Sequence, residues 1–550
     1  MLSKIFRRTF TSLKHSEGVQ HQLTPRQLCD FECIANGSFN PLQTFMNRLD
    51  YESVVERGRL ADGALWPMPI VLDIPTETAE QLEQTEQPLI LRDPQFNFLA
   101  KMEVLEIFKP DYSIEAQKVF GGDPEHPAIQ YKQEPYCVSG SIQVHQLPIH
   151  HDYTHLRSTP ADIKLPEGPV VAFQTRNPMH RAHMELASKA AESVNGNALI
   201  HPVVGVTKSG DIDYHTRIKC YQEIIEDGKL LGQPAVLSLL PLAMRMGGPR
   251  EALWHALIRQ NYGATHFILG RDHAGPGSNS KGKDFYGPYE ARDYALQFQD
   301  ELDITLLPFE MMAYVEEKDT YMPMDQIPED CAVKSLSGTE VRRRLQTGED
   351  IPAWFTPPKV VDILRKTNPP KSKRGVTLFF TGLSGSGKSA IVEGVTAKLN
   401  EKTFRSTTVL DGDELRTFLS SELGFSKEHR DLNIKRIGYV SSLINQAGGI
   451  VLTAAIAPYR ETRDIAKQLV VAAGADFVEV FVDASVETCE SRDVKGLYKL
   501  ARTGKIPNFT GVSDPYEEPL SPDIQIPTAE QTLQQSIDTI IEYLQKHKYI

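Results

Sequence analysis

Cysteine is scarce and scattered. The 550 residues hold six, only Cys29 and Cys33 lie close together, and no second pair stands near enough to complete a zinc site. Thiols so dispersed are expected to be reduced, in a reducing compartment. No stretch approaches the roughly 18 uninterrupted apolar residues that a membrane-spanning helix needs, so a soluble chain without a membrane partner is expected. Positive charge is in deficit: Lys and Arg total 59 against 72 Asp and Glu, a formal net charge of -13. That balance argues against nucleic acid as a partner and leaves room for local basic pockets that take small anions. No internal repeat or low-complexity tract is present. At about 100 to 200 residues per domain, the length suggests three or four units.

The first sixteen residues carry Lys4, Arg7, Arg8 and Lys14 with no acid, interleaved with Leu2, Ile5, Phe6 and Phe10. That composition suits a mitochondrial presequence and equally a basic tail with no address. Residues 1–22 are therefore set apart as a leader, and the location stays open between cytoplasm and mitochondrion. From Leu23, short alternating stretches at 68–72, 89–91 and 102–107, broken by Pro, Gly and Asp, predict a β-rich accessory domain over 23–168. Residues 170–173 then read as a buried strand, followed by a polar loop and a helix with Leu186, Ala187, Ala190 and Val194 on one stripe. Similar strands at 199–204 and 265–269 predict a parallel α/β sheet over 169–330. A short helical segment over 331–370 trails into the Pro- and Lys-rich stretch 369–375, which has the look of a linker. The last domain, 371–550, opens on a strand at 376–380, and Ile391, Val392, Val395 and Leu399 give the next helix an apolar face.

Two stretches carry the chemistry. Gln174-Thr-Arg-Asn-Pro-Met-His-Arg-Ala-His183 gathers an amide, a guanidinium and two imidazoles within ten residues. If His180 and His183 lie in the first helical turn, they project from one face beside the helix's positive end, which favours a polyphosphate such as ATP. Gln174 and Arg176, just upstream, would grip a tetrahedral oxyanion. Gly270-Arg-Asp-His-Ala-Gly-Pro-Gly277 follows another strand end, so two loops distant in sequence are expected to face one crevice. His-x-x-His alone also suits a metal pair or two surface histidines. Arg245, Arg250 and Arg271 alone would read as solvated charge, although the glycines of Met246-Gly-Gly-Pro249 favour close backbone approach. Ser337-Gly-Thr-Glu340 matches a capping box.

The second stretch, Gly382-Leu-Ser-Gly-Ser-Gly-Lys-Ser389, satisfies the P-loop pattern with a strand before it and a helix after it. The backbone amides of Gly382, Ser384, Gly385, Ser386, Gly387 and Ala390 would cradle phosphates, with Lys388 on the outer ones and Ser389 ligating Mg²⁺. Leu410-Asp-Gly-Asp-Glu-Leu-Arg416 places two carboxylates at the end of the next strand. Asp413 would accept a hydroxyl proton and Asp411 would hold metal-bound water, whereas Asp411-Gly412 alone reads as a turn.

Over about residues 23 to 365 the chain resembles ATP sulfurylase, on Gln174 to His183, Met244-Arg-Met-Gly-Gly-Pro-Arg-Glu-Ala-Leu-Trp-His255, Gly270 to Gly277, and Ser337-Gly-Thr-Glu-Val-Arg342. The openings Leu23-Thr-Pro-Arg-Gln-Leu28 and Leu60-Ala-Asp-Gly-Ala-Leu-Trp-Pro67 resemble that family's accessory domain. The resemblance implies an α/β multidomain chain: a PUA-like domain, a Rossmann-like nucleotidylyltransferase domain and a small helical domain. It implies that Gln174, Arg176 and Ala274 hold sulfate. Gln174, Asn177, His180, His183, Gly270, Arg271 and His273 would bind ATP, with Arg176, Asn177, His180, His183 and Arg271 catalytic. Sulfate would attack the α-phosphorus and expel pyrophosphate.

From about residue 375 onward, Arg430-Asp-Leu-Asn-Ile-Lys-Arg436, Ala457-Pro-Tyr-Arg460, Lys495-Gly-Leu-Tyr-Lys-Leu-Ala-Arg502 and Asn508-Phe-Thr-Gly-Val-Ser-Asp-Pro-Tyr516 resemble APS (adenosine 5'-phosphosulfate) kinase. That implies a C-terminal P-loop kinase domain with Lys388 and Asp413 catalytic. Asp411, Asp413, Arg416, Arg430, Asn433 and Lys495 would face APS, Phe425 and Phe509 would stack on adenine, and 492–512 would form a lid. Ala457 and Ala390 stand where many members have Ser and Thr; neither change removes the Ser389 hydroxyl or the Asp413 carboxylate. Together the resemblances imply a homo-oligomeric enzyme that makes APS from ATP and sulfate, then phosphorylates it to PAPS (3'-phospho-APS) with Mg²⁺ and a second ATP. Two other readings stay open: a non-catalytic C-terminal domain that binds PAPS and regulates the sulfurylase, and an N-terminal half that adenylylates another acid such as phosphopantetheine.

Overall fold

Five strands form the first sheet: β1 (Val19–Gln22), β2 (Leu72–Ile74), β3 (Leu89–Arg92), β4 (Phe98–Phe108) and β5 (Tyr136–Val144), in the order β1-β3-β4-β5-β2. The computed structural model describes residues 17–208, 210–493 and 496–550, so leader residues 1–16 and Lys495 lie outside the described residues. Strand β1 falls within the stretch set apart as leader: Val19 is buried and pairs in parallel with Leu89, so the folded chain starts before Leu23. The stretch 68–72 does not form the strand its alternation predicts. Pro67 and Pro69 lack the N–H a ladder needs, and pairing begins only at Leu72, although Met68 and Ile70 are fully buried.

The second sheet joins β6 (Val170–Phe173), β7 (Asn197–Ile200), β8 (Lys229–Leu230), β9 (Gln233–Leu237), β10 (His266–Leu269) and β11 (Thr305–Pro308) in the order β11-β10-β6-β7-β9-β8. All its pairings are parallel except β8 with β9. Every residue of β6 is buried, as a strand covered on both faces requires. Helix α1 (Arg181–Ser193) follows β6 and buries Met184, Ala187, Ser188, Ala190 and Ala191. Its stripe is therefore rotated from the predicted one: Leu186 is half-buried and Val194 is the C-cap, because the helix begins only after His180. The chain steps from β6 outward to β7 and β9, then returns to β10 on the other side of β6, which makes the β6/β10 edge the topological switch point.

Helix α2 (Gly248–Asn261) enters from that edge and is buried from Gly248 to Glu251's turn and onward to Arg259 on most faces. It knits the two sheets together: Trp254 stands 5.1 Å from Phe39 and 6.3 Å from Trp66 by ring centroids. Arg245 pairs with Asp30 in full burial, and Arg250 donates to the carbonyls of Val54 (2.7 Å) and Val55 (2.9 Å). Of the three arginines weighed as solvated charge, only Arg271 is exposed. A small antiparallel sheet, β13-β12-β14, follows from β12 (Met312–Val315), β13 (Thr320–Pro323) and β14 (Val333–Lys334), so the segment read as helical opens on a strand.

The chain divides into two compact units. One runs to Leu336 and takes in Pro352–Ile363; the other comprises Ser337–Ile351 and Leu364–Ile550. In the second, helix α3 (Gly338–Thr347) starts on Ser337, whose Oγ accepts the Glu340 N–H at 3.1 Å. The Glu340 carboxylate turns to Arg343 and Arg344, which leaves half of the predicted capping box. The sheet is wholly parallel: β15 (Val376–Thr381), β16 (Thr407–Asp411), β17 (Ile450–Ala454), β18 (Asp476–Asp483) and β19 (Ile524–Pro527), ordered β16-β17-β15-β18-β19. Helix α4 (Lys388–Lys402) buries Ile391, Val392, Val395 and Leu399, the face its periodicity predicts. Helices α5 (Gly412–Phe418) and α6 (Lys427–Gln446) follow β16.

Candidate functional site

At the switch point of the first unit, the loops after β6 and β10 leave neighbouring parallel strands at their carboxyl ends. A third segment bridges them. Gln174 Nε2 lies 3.6 Å from Met244 Sδ, and Gly248 N–H donates to Ala274 O at 3.2 Å. The two loops are thus linked through the 244–248 segment. A fourth segment joins from the end of β7: Lys208 Nζ donates to Pro276 O at 2.5 Å, and Asp211 pairs with Arg176. Neither Lys208 nor Asp211 belongs to a motif visible in the sequence, although both stand at the same sheet edge.

His180 is the N-cap of α1 and His183 its third residue. His183 Nδ1 accepts the His180 backbone N–H at 3.2 Å, the rings stack at 5.9 Å, and His180 Nδ1 contacts Thr356 Oγ1 at 2.8 Å with Phe355 against its face. Burial lowers both pKa values, to about 3 for His180, with His183 as a second cause, and to about 4 for His183. Neutral imidazoles result, each able to present one N–H to an oxyanion at a helix start. The Asn177 side chain is exposed, and its backbone is held by Thr175 Oγ1 and Tyr221 Oη (2.8 Å). Arg271 is exposed beside Asp272 (3.1 Å). No atom approaches the Gly270 Cβ position within 4 Å, which leaves the backbone there open. Ala274 adopts φ +53, and His273 is half-buried against His255. Among the described residues no group of three or more His, Cys, Asp or Glu converges on a metal position, and no helix is long and apolar enough to cross a membrane.

In the second unit the central strand β15 runs straight into the glycine loop. Gly382, Gly385 and Gly387 take φ of +151, +78 and +105, and a Cβ on Gly382 would stand 2.5 Å from Val482 O. Only glycine fits there. Lys388 Nζ donates to Gly382 O (2.9 Å) and Leu383 O (2.8 Å) across the loop, and the buried Ser386 Oγ has no partner among the described residues. Tyr498 Oη donates to Ser384 O at 2.9 Å, while Thr528 Oγ1 (3.0 Å) and Arg492 brace Ser386 O. Thr528 is another residue the sequence did not signal. Ser389 and Ala390 are exposed in the first turn of α4.

Asp411 ends β16 and caps α5, its Oδ1 accepting the Asp413 N–H at 2.8 Å, so the turn role is fulfilled and Asp413 sits in the first helical turn. Arg416 lies 4.5 Å over the exposed Phe425 ring and donates to Gly424 O at 2.9 Å; burial and, secondarily, Arg430 lower its pKa. Arg430 donates to Thr510 Oγ1 (2.5 Å) and Asp514 Oδ2 (2.8 Å), which ties α6 to the segment after the glycine-lysine stretch. Asn433, one turn on, is buried with Oδ1 unpartnered among the described residues. Phe509 is buried edge-to-face on Tyr498 at 5.0 Å, so the two aromatics expected at adenine occupy different settings, one exposed on Arg416 and one within a core.

Each unit thus presents polar loops rich in anion donors at the carboxyl ends of a parallel sheet, the arrangement of an α/β nucleotide-using enzyme. Three family models match in order: PUA-like domain over residues 7–147, ATP-sulfurylase over 155–367 and adenylylsulphate kinase over 374–527. The chain is 48% identical over 533 residues to the sulfate adenylyltransferase of Chaetomium globosum, covering 95% of this chain and 92% of that protein. It is 47% identical to that of Yarrowia lipolytica over 98% and 95%. A solved structure, the hexameric APS kinase from Thiobacillus denitrificans, superposes with a TM-score of 0.78 at 30% identity over 96% of this chain and 94% of that one. The chain belongs to the sulfate adenylyltransferase family: it is an ATP-using sulfurylase with a C-terminal APS-kinase-like domain.

Proposed function

We infer that the chain carries out two consecutive reactions, forming APS from ATP and sulfate in the first unit and phosphorylating the APS 3'-hydroxyl in the second. In the first site Gln174, Arg176 and the Ala274 backbone hold sulfate, and Asn177, His180, His183, Gly270, Arg271 and His273 receive ATP. Sulfate is already a fully ionised nucleophile, so no general base is required. The site's task is to align two mutually repelling anions and to neutralise charge on the departing pyrophosphate. Neutral imidazoles at a helix start, with arginine beside them, supply that.

The second reaction rests on the intact P-loop, with Lys388 bridging its carbonyls and Asp411 and Asp413 at the end of a strand in the same parallel sheet. Ser389 and Asp411 are hard oxygen donors that suit Mg²⁺, Asp411 through water; the ion when bound would neutralise ATP phosphate charge. Asp413 would accept the hydroxyl proton, Arg416, Arg430 and Asn433 would face APS, and Lys388 would steady the outer phosphates. An oligomer is the expected state, as the similar bacterial structure is a hexamer.

The names of the curated relatives, which specify sulfate adenylyltransferase alone, favour a second reading in which the C-terminal domain binds PAPS without turnover. Purified protein given APS and Mg-ATP separates the two: ADP formation supports the kinase, and its absence supports regulation. Molybdate, whose adenylyl product falls apart in water, should stimulate pyrophosphate release from ATP. No stimulation would remove the sulfate assignment.

A further inference from the structure

Helix α2 carries two fully buried titratable residues one turn apart, Glu251 and His255, that no role above uses. Glu251 Oε1 accepts the Arg245 N–H at 3.1 Å and Oε2 accepts the Gly247 N–H at 2.7 Å. One carboxylate thereby clamps the segment whose neighbours Met244 and Gly248 touch Gln174 and Ala274. His255 Nδ1 meets His273 Nε2 at 3.1 Å, in the middle of the 270–277 loop. Its Nε2 points back to Glu251 Oε1 at 3.4 Å, without hydrogen-bond alignment.

The charged groups around this pair are defined. Arg259, buried, donates to His255 O (3.5 Å) and His201 O (3.0 Å) and lies over Phe267, while Arg245 faces Glu251 from the preceding segment. Burial, with Arg259 next, holds His255 neutral; burial, then His255 and Arg259, does the same for His273. A neutral N–H···N bond between two rings is directional, and in a site from which water is excluded it fixes orientation.

We propose that Glu251 and His255 are positioning residues of the sulfurylase reaction, which lock the 244–248 segment and the 270–277 loop into one geometry so that Gln174, Arg271 and the Ala274 backbone stand correctly around ATP and sulfate. They act through two backbone amides and the His273 ring and do not touch substrate. The assignment rests on the sulfurylase site described above. Misplacement of a reacting group by about 1 Å is enough to cost about 100-fold in rate, so a buried clamp of this kind controls turnover.

The test uses the full chain, with kinetics for ATP and sulfate measured separately. His255→Phe keeps an aromatic ring, somewhat larger than imidazole, and removes the bond to His273; His255→Asn returns a polar atom near the Nδ1 position. The expected result is a fall in kcat of roughly 10- to 100-fold for His255→Phe, with a smaller change in either KM and substantial recovery in His255→Asn. In a His273→Phe background, His255→Phe should add little further loss, because the two act as one unit. The proposal is overturned if the losses multiply, if His255→Asn is as impaired as His255→Phe at equal thermal stability, or if His255→Phe is as active as the parent. Should His255→Phe fail to fold, Glu251→Gln carries the test: retained kcat would overturn the clamp, and lowered kcat with unchanged melting would support it. Loss of molybdate-stimulated pyrophosphate release in the parent protein would instead remove the underlying site reading, which keeps the two failures distinct.

Discussion

His183 accepts the backbone N–H of His180 at its own Nδ1, so the neutral ring carries its proton on Nε2. The capping bond occupies one nitrogen of the imidazole and leaves the other as its N–H donor, so the helix start fixes the tautomer.

Stability should track these two rings. Unfolded imidazole titrates near pH 6.5, roughly, while burial keeps His180 and His183 neutral down to about 3 and about 4. The unfolded chain therefore binds protons first. Their contribution is fully present above about pH 6.5 and is lost as the pH falls toward 4 and then 3. Urea midpoints measured from pH 7.5 to 4.5 should decline, and His180→Asn/His183→Asn should flatten that slope.

Arg176→Lys should raise the sulfate KM by about 10- to 100-fold, since lysine lacks the planar fork and a charged hydrogen bond contributes about 1.5–3 kcal/mol. The ATP KM should change far less. Equal effects on both substrates in initial-rate assays would move Arg176 out of the sulfate position.

Lys388→Ala should abolish ADP formation from APS and Mg-ATP, a loss on the order of 1,000-fold, and leave sulfurylase activity largely intact. His183→Ala should do the reverse. Paired assays on one preparation decide, and joint loss of both activities in either variant would contradict independent sites.

Gly382→Ala tests the loop itself. With φ at +151 and Val482 O 2.5 Å from the new Cβ, the loop must shift, at a cost on the order of 1–3 kcal/mol. Nucleotide binding to the kinase unit, followed by ATP-dependent thermal shift, should disappear. A normal shift would mean the loop is not the phosphate cradle.

What the sequence made legible was local. Strand, glycine loop and helix start follow one another within twenty residues in Val376–Thr381 and Lys388–Lys402, and the tight turn demands glycine at fixed places. His180 and His183, three residues apart, stand at a helix start as N-cap and third residue, a spacing that is local as well. The Arg245–Asp30 pair joins residues 215 apart, and nothing in either stretch announces the other. Met68 and Ile70 alternate like a strand yet sit in a proline-bounded segment, because burial alone sets that pattern. Phe425 and Phe509 share a residue type, but only Phe509 meets a cover, from Leu383, Cys489 and Tyr498, and Leu383 lies far away in the sequence. Glu251 and His255 stand in a stretch that carries the resemblance without a role of their own; their partners are two backbone amides just upstream and a ring from another loop.

The chain passes between its two compact units more than once, since Ser337–Ile351 belongs to the second and Pro352–Ile363 to the first. Arg365 donates to Glu349 O at 2.6 Å, and Lys371 N–H to Gln346 O at 3.0 Å, so the early excursion is fastened within the later unit. Severing the polypeptide at 369–375 would therefore not yield two finished halves. The upstream piece would keep the Arg365–Glu349 bond, but Glu349 would be parted from Lys548, whose Nζ stands 3.9 Å from its carboxylate in the intact unit.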